Sequence, residues 1–271
     1  MIGTLADDHP KTFVFDLDGV VYVDRAGVPG AGEALTALRR AGHQVLFATN
    51  NSSRSVGTVV DNIRKRTDYR ATEEAVITSG LAAAYLLRDD NEVCFVFGSD
   101  ELEQTLIDEN IEVTSDHARA TAVVAGLDRG LTYQRLTSAV LAVRRGARFI
   151  ATNDDATYPA LEGQYPGCGA LVAAVERATG VDAVVCGKPN LPMQRLIERR
   201  IEQAEVWMVG DRIETDLELA DRAGGGKILV LSGVTSPGET ATSTTRPHYT
   251  VGSIADVAAL MSAETNHIAG L

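Results

Sequence analysis

A chain of 271 residues, 45% hydrophobic and 23% charged, can bury one large core or two unequal ones, which excludes disorder throughout. Its net charge of -12 excludes a nucleic-acid backbone as partner, since that contact rests on clustered Lys and Arg. Apolar runs break at Gly, Asp or Asn well before the ~20 residues that cross a bilayer, so no membrane partner is expected.

From the N-terminus, Met1 to Lys11 carries Asp7 and Asp8 and has no apolar segment of the secretion-signal kind. Apolar runs at 12–16, 43–49, 75–78, 93–97, 121–125, 147–151, 182–186, 205–209, 227–231 and 248–251 predict strands. Amphipathic segments at 31–41, 56–66, 81–88, 101–109, 132–145, 169–179, 191–203 and 214–223 predict helices between them. This alternation specifies an α/β fold: a doubly wound, mainly parallel, Rossmann-like core sheet. Polar motifs fill the first 55 residues and resume at Gly187. Residues 1–80 and 183–271 are therefore expected to form the core domain and 81–182 an inserted α/β cap domain over the site. Cys94, Cys168 and Cys186 are odd in number and lack metal-type spacing, which points to free buried thiols in a cytoplasmic protein.

Chemistry concentrates where the predicted strands end: Asp16-Leu17-Asp18-Gly19, Thr49-Asn50-Asn51, Gly187-Lys188-Pro189 and Gly210-Asp211 with Thr215-Asp216. In an open α/β sheet the ligand crevice lies outside the carboxyl ends of the strands, so these segments are expected to converge. Four carboxylates and one lysine suit a divalent cation beside a phosphate. Asp211 is the better direct ligand. Asp216 is read as a ligand, directly or through water, or as an orienter of its loop, and Glu214 as a solvated first-turn residue. Thr49 and Asn50 offer a hydroxyl and backbone amides to an anion, although a capping or Asx turn uses the same residue types. Lys188 offers a point charge to a phosphate. Asn153, Asp154 and Asp155 read as a polar turn or as leaving-group contacts, and Tyr158 and Tyr165 as pocket lining or cap core. His43 and His117 read as surface or loop residues, and Trp207 as core.

Phe13 to Val20, Thr49-Asn50-Asn51, Gly187-Lys188-Pro189 and Gly210-Asp211-Arg212 with Thr215-Asp216 together resemble the four motifs of the haloacid dehalogenase superfamily, in their usual order. The doubled Asn50-Asn51, with Phe149 to Asp154 and Pro166 to Ala170, resembles its NagD-like, para-nitrophenylphosphatase branch with a type IIA cap. The resemblance implies a Mg2+-dependent phosphatase acting on a small-molecule phosphate monoester (a sugar, glycerol, nucleotide or similar phosphate) through an aspartyl-phosphate. It makes Asp16 the nucleophile and Asp18 the general acid and then base. Asp16, the Asp18 carbonyl, Asp211 and Asp216 become metal ligands, and Thr49, Asn50, Asn51 and Lys188 bind the phosphate. An Asp at 18 speaks against dehalogenation, which has no alkoxide to protonate. The rival readings are a catalytically silent phosphometabolite-binding or regulatory protein and a phosphotransferase on the same core. A cap surface can pair copies, so a homo-oligomer is compatible with the sequence.

Overall fold

The computed structural model describes residue 5 and residues 9–160, 162–236, 238 and 243–261. The chain divides into two compact units, one of Met1–Ala48, Gly57–Val76 and Ile197–Leu271, the other of Thr49–Val56 and Ile77–Leu196.

The first unit is built on a six-stranded sheet whose spatial order is Tyr249–Val251, Gly226–Val230, Val206–Gly210, Thr12–Phe15, Gln44–Thr49 and Val76–Thr78. From Tyr249–Val251 to Gln44–Thr49 the neighbours pair in parallel, Phe15 standing beside both Val209 and Phe47. Strands covered on both faces read as continuous apolar runs, and Phe13, Phe15, Phe47, Val209 and Ile228 are accordingly fully buried. After Thr12–Phe15 the chain adds strands on one side, and after Val206–Gly210 on the other. The order therefore reverses between these two central strands, and an open sheet binds its ligand at such a reversal, outside the carboxyl ends.

The second unit has its own five-stranded parallel sheet, ordered Val184–Val185, Arg148–Ala151, Ala122–Ala125, Val93–Phe97 and Glu112–Val113. Phe95, Phe97, Val123 and Phe149 pack with Ala139, Ala142 and Val143 of helix Tyr133–Arg144 and with Val172 and Val175 of helix Cys168–Thr179. The latter helix stops at Gly180, whose φ of 74° is the left-handed conformation expected at a helix end.

The architecture is the α/β one expected, with local differences. The antiparallel hairpins Tyr22–Val23/Ala26–Gly27 and Thr157–Ala160/Gly163–Pro166 are additional to the predicted strands. Their strands are short, and Gly163 to Pro166 is exposed throughout, so no alternation of buried and solvent positions marks it. Helix Leu191–Glu198 ends earlier than the expected 203. There the chain turns so that Arg200 Nη1 donates to the carbonyls of Glu74 and Val76, at 2.8 and 2.7 Å, while its own carbonyl accepts from Gln44 Nε2. The helix expected over 214–223 begins as a π-turn, Ile213–Leu217, before the α-helical Glu218–Arg222.

Candidate functional site

Asp16 and Asp211 are each the first residue beyond a central strand of the first unit. The Asp16 amide donates to the Val209 carbonyl at 2.9 Å, continuing the ladder, so the two carboxylates emerge at the same end of neighbouring parallel strands. The π-turn delivers a third: the Leu217 amide reaches back five residues to the Arg212 carbonyl, and the Arg212 amide donates to Asp216 Oδ2 at 3.1 Å. Carboxylate oxygens of Asp16, Asp211 and Asp216 lie within 4.8 Å of one another, on residues only 9%, 0% and 1% exposed. Three carboxylates so close suit one hard divalent cation, which prefers oxygen donors and offsets their mutual repulsion.

Backbone presses against this seat. A Cβ on Gly233 or on Gly19 would collide with Asp211 Oδ2, and one on Gly210 would collide with Asp216. Gly19 additionally has φ 91°, open to glycine at little cost. The Val234 amide donates to Asp211 Oδ2 at 2.8 Å, and Ser232 Oγ donates to the Gly19 carbonyl at 2.7 Å. Ser232, Gly233 and Val234 escaped the sequence reading, although they follow the predicted strand 227–231 as the recognised motifs follow theirs. Asp18 stands outside the three-carboxylate set and is exposed, in a tight turn where the Leu17 carbonyl accepts from the Val21 and Tyr22 amides. Glu214 is exposed, as expected.

In the second unit, Asn50 and Lys188 meet as a pair. Asn50 Oδ1 accepts from the Lys188 amide at 2.7 Å, and Asn50 Nδ2 donates to the Lys188 carbonyl at 3.2 Å. The Asn50 carbonyl accepts from Ser79 Oγ at 2.6 Å and from Asn153 Nδ2 at 2.8 Å. Lys188 is 2% exposed, so it is not a solvated surface lysine. Thr49 is buried, its Oγ1 accepting from the Asn51 amide at 3.1 Å. Asn51 Oδ1 accepts from the Ser53 amide and hydroxyl, both at 2.9 Å, so the side chain of Asn51 makes an Asx turn beside Thr49 and Asn50.

Asn153 also forms a turn, its Oδ1 accepting from the Asp155 amide, and Asp154 is exposed. Tyr158 and Tyr165 face each other edge-on across their hairpin at 5.9 Å, with Arg129 over the Tyr158 ring. Trp207 is core, as expected, and closes onto Gly226. His43 is a correction: it is buried, because its Nδ1 accepts from the Lys11 amide at 3.1 Å and its ring stands edge-on to Phe13. The three cysteines are free and buried, and burial pushes the Cys168 thiol up to about 11 and those of Cys94 and Cys186 to about 12.

Residues 13–112 match the family model of haloacid dehalogenase-like hydrolases, and residues 185–257 match a second, HAD-hydrolase-like model. The chain is 34% identical over 250 residues to a 5'-nucleotidase of Bacillus subtilis, covering 91% of this chain and 96% of that protein. It superimposes with a TM-score of 0.88 and 31% identity on 4-nitrophenylphosphatase of Thermotoga maritima, covering 96% and 100% of the two chains. A glycerol phosphate phosphatase from Mycobacterium tuberculosis, in complex with magnesium, superimposes with a TM-score of 0.87 and 32% identity over 97% and 81%.

Proposed function

The chain belongs to the haloacid dehalogenase-like hydrolases, in their NagD-like branch, and from that premise we propose that it is a Mg2+-dependent phosphatase of small-molecule phosphate monoesters. The observation that carries this reading is the three-carboxylate seat of Asp16, Asp211 and Asp216 at the strand-order reversal.

In this reading an Asp16 oxygen attacks phosphorus in line, the ester P–O bond breaks, and an aspartyl-phosphate forms. Asp18, on its exposed turn, gives a proton to the departing alkoxide and then takes one from the water that attacks the phosphorylated Asp16. Inorganic phosphate leaves and Asp16 is regenerated. Asp16, the Asp18 carbonyl, Asp211 and Asp216 hold Mg2+. When bound, Mg2+ offsets the repulsion between these carboxylates and a dianionic ester and polarises the phosphoryl oxygens. Thr49 Oγ1, the backbone amide of Asn50 and the Lys188 ammonium take the phosphoryl oxygens, and Asn51 holds the turn that presents them.

Residues 81–182, which carry most of the second sheet, serve as the cap that selects the ester and excludes water, with 1–80 and 183–271 as the catalytic core. Three buried free thiols fit the reducing cytoplasm. Among the described residues no helix is long and apolar enough to cross a membrane.

Hydrolysis of para-nitrophenyl phosphate with Mg2+ or with a chelator, for the native chain and for Asp16→Asn, tests the proposal. Turnover is expected only with metal, and Asp16→Asn is expected to reduce kcat by at least ~10³-fold. A native chain that binds phosphate yet turns over no ester under any divalent metal is a binding protein, and one that passes phosphate to an added alcohol in preference to water is a transferase.

A further inference from the structure

Asn50 makes four hydrogen bonds that tie three other stretches of chain to one residue: the Lys188 loop through its side chain, and Ser79 and Asn153 through its carbonyl. Both polar atoms of the Asn50 amide group are engaged with the Lys188 backbone. A Cβ on Gly187 would collide with Asn50 Oδ1, so that glycine makes room for the contact. The Asn153 amide group is likewise committed, its Nδ2 to Asn50 and its Oδ1 to the Asp155 amide.

We propose that Asn50 and Asn153 are positioning residues acting in series: Asn153, with Ser79, fixes the Asn50 carbonyl, and Asn50 fixes the backbone that carries the Lys188 ammonium. This rests on the reading of Lys188 as the cation that meets the phosphoryl group. An asparagine bound to the ester's leaving group discriminates among esters. One that acts through Lys188 affects every ester alike, because all share the phosphoryl group and a small displacement of a positioned charge costs transition-state stabilisation whatever the leaving group.

The experiment measures kcat and KM for para-nitrophenyl phosphate and for glycerol 3-phosphate, inhibition by inorganic phosphate, and thermal unfolding, in Asn50→Ala, Asn153→Ala, Ser79→Ala and the Asn153/Ser79 double variant. Asn50→Ala is expected to lower kcat/KM by about 10–100-fold and Asn153→Ala by about 3–10-fold, each equally for the two esters and with weaker phosphate inhibition. Ser79 and Asn153 act on one oxygen, so their effects are expected to combine non-additively.

Native-like kcat/KM in Asn50→Ala overturns the proposal. So does a loss in Asn153→Ala that differs by more than about 5-fold between the two esters, which marks a leaving-group contact. Unchanged phosphate inhibition beside reduced turnover overturns it as well. If Asn50→Ala does not fold, the Asn153 and Ser79 variants still decide. If the native chain hydrolyses neither ester, the phosphatase reading fails by itself; the stabilisation conferred by inorganic phosphate on each variant then tests the series, which stands only if the variants lose it.

Discussion

Asp216→Asn is expected to have opposite effects on stability with and without Mg2+. Two unit charges 4.8 Å apart repel by on the order of 3.5 kcal/mol at an effective dielectric of 20, and Asp216 faces two such partners, Asp16 and Asp211. Neutralising it removes both repulsions. Against that stand the attractive partners of the Asp216 carboxylate, among them the hydrogen bond from the Arg212 amide, which an asparagine oxygen still accepts, weakened by about 1 kcal/mol for the lost charge. Even if relaxation removes most of the repulsion, the metal-free variant gains about 2 kcal/mol, which raises Tm by several degrees for a chain of this size. With Mg2+ at a thousand times the native Kd the order reverses: the native chain gains about 4.1 kcal/mol, whereas a variant that lacks one anionic ligand and binds the ion about 100-fold more weakly gains about 1.4 kcal/mol. Calorimetric unfolding of both chains in chelator and in excess Mg2+ provides the four Tm values. A variant that is less stable in chelator by as much as it is in Mg2+ would refute the electrostatic reasoning, because the three carboxylates would then not be straining against one another.

Gly233→Ala places a methyl group against Asp211 and is expected to weaken Mg2+ activation about tenfold or more, with 1–3 kcal/mol of overpacking; a Mg2+ titration of activity checks it. Arg200→Ala leaves the Glu74 and Val76 carbonyls without their guanidinium donor and is expected to cost about 1–3 kcal/mol in urea unfolding while kcat is retained. The buried thiols hold their protons more tightly folded than unfolded. The stability they confer is therefore complete below the ordinary thiol value of 9.0 and lost as pH climbs toward about 12. Native chains are expected to leave all three cysteines unlabelled by iodoacetamide at pH 8, with full labelling in denaturant; fast labelling of the folded chain contradicts that burial.

The sheets were legible because a strand covered on both faces must be apolar along its length, as in Thr12 to Phe15 and Ala122 to Ala125, and because polar motifs begin where those runs end. Asp16, Asp211 and Asp216, whose carboxylates the fold brings together, follow that signal. What could not be read depends on partners distant in sequence. Asn50 has the composition of a phosphate-binding turn, but its side chain is committed to a backbone 138 residues away. His43 has no local pattern, since its burial rests on the Lys11 amide 32 residues earlier. The π-turn at Ile213 to Leu217 shares its residue types with an α-helix, so composition does not mark the wider turn that precedes Glu218–Arg222.

Because Thr12 pairs with Val206, 194 positions later, the strand that leads to Asp16 must wait for all the intervening chain before this central neighbour exists. Until the chain has passed Val206–Gly210, neither Asp211 nor Asp216 exists to complete the three-carboxylate seat with Asp16. On the proposed reading, metal uptake would report the closure of a long-range contact, since a product truncated before Val206 lacks two of the three carboxylates.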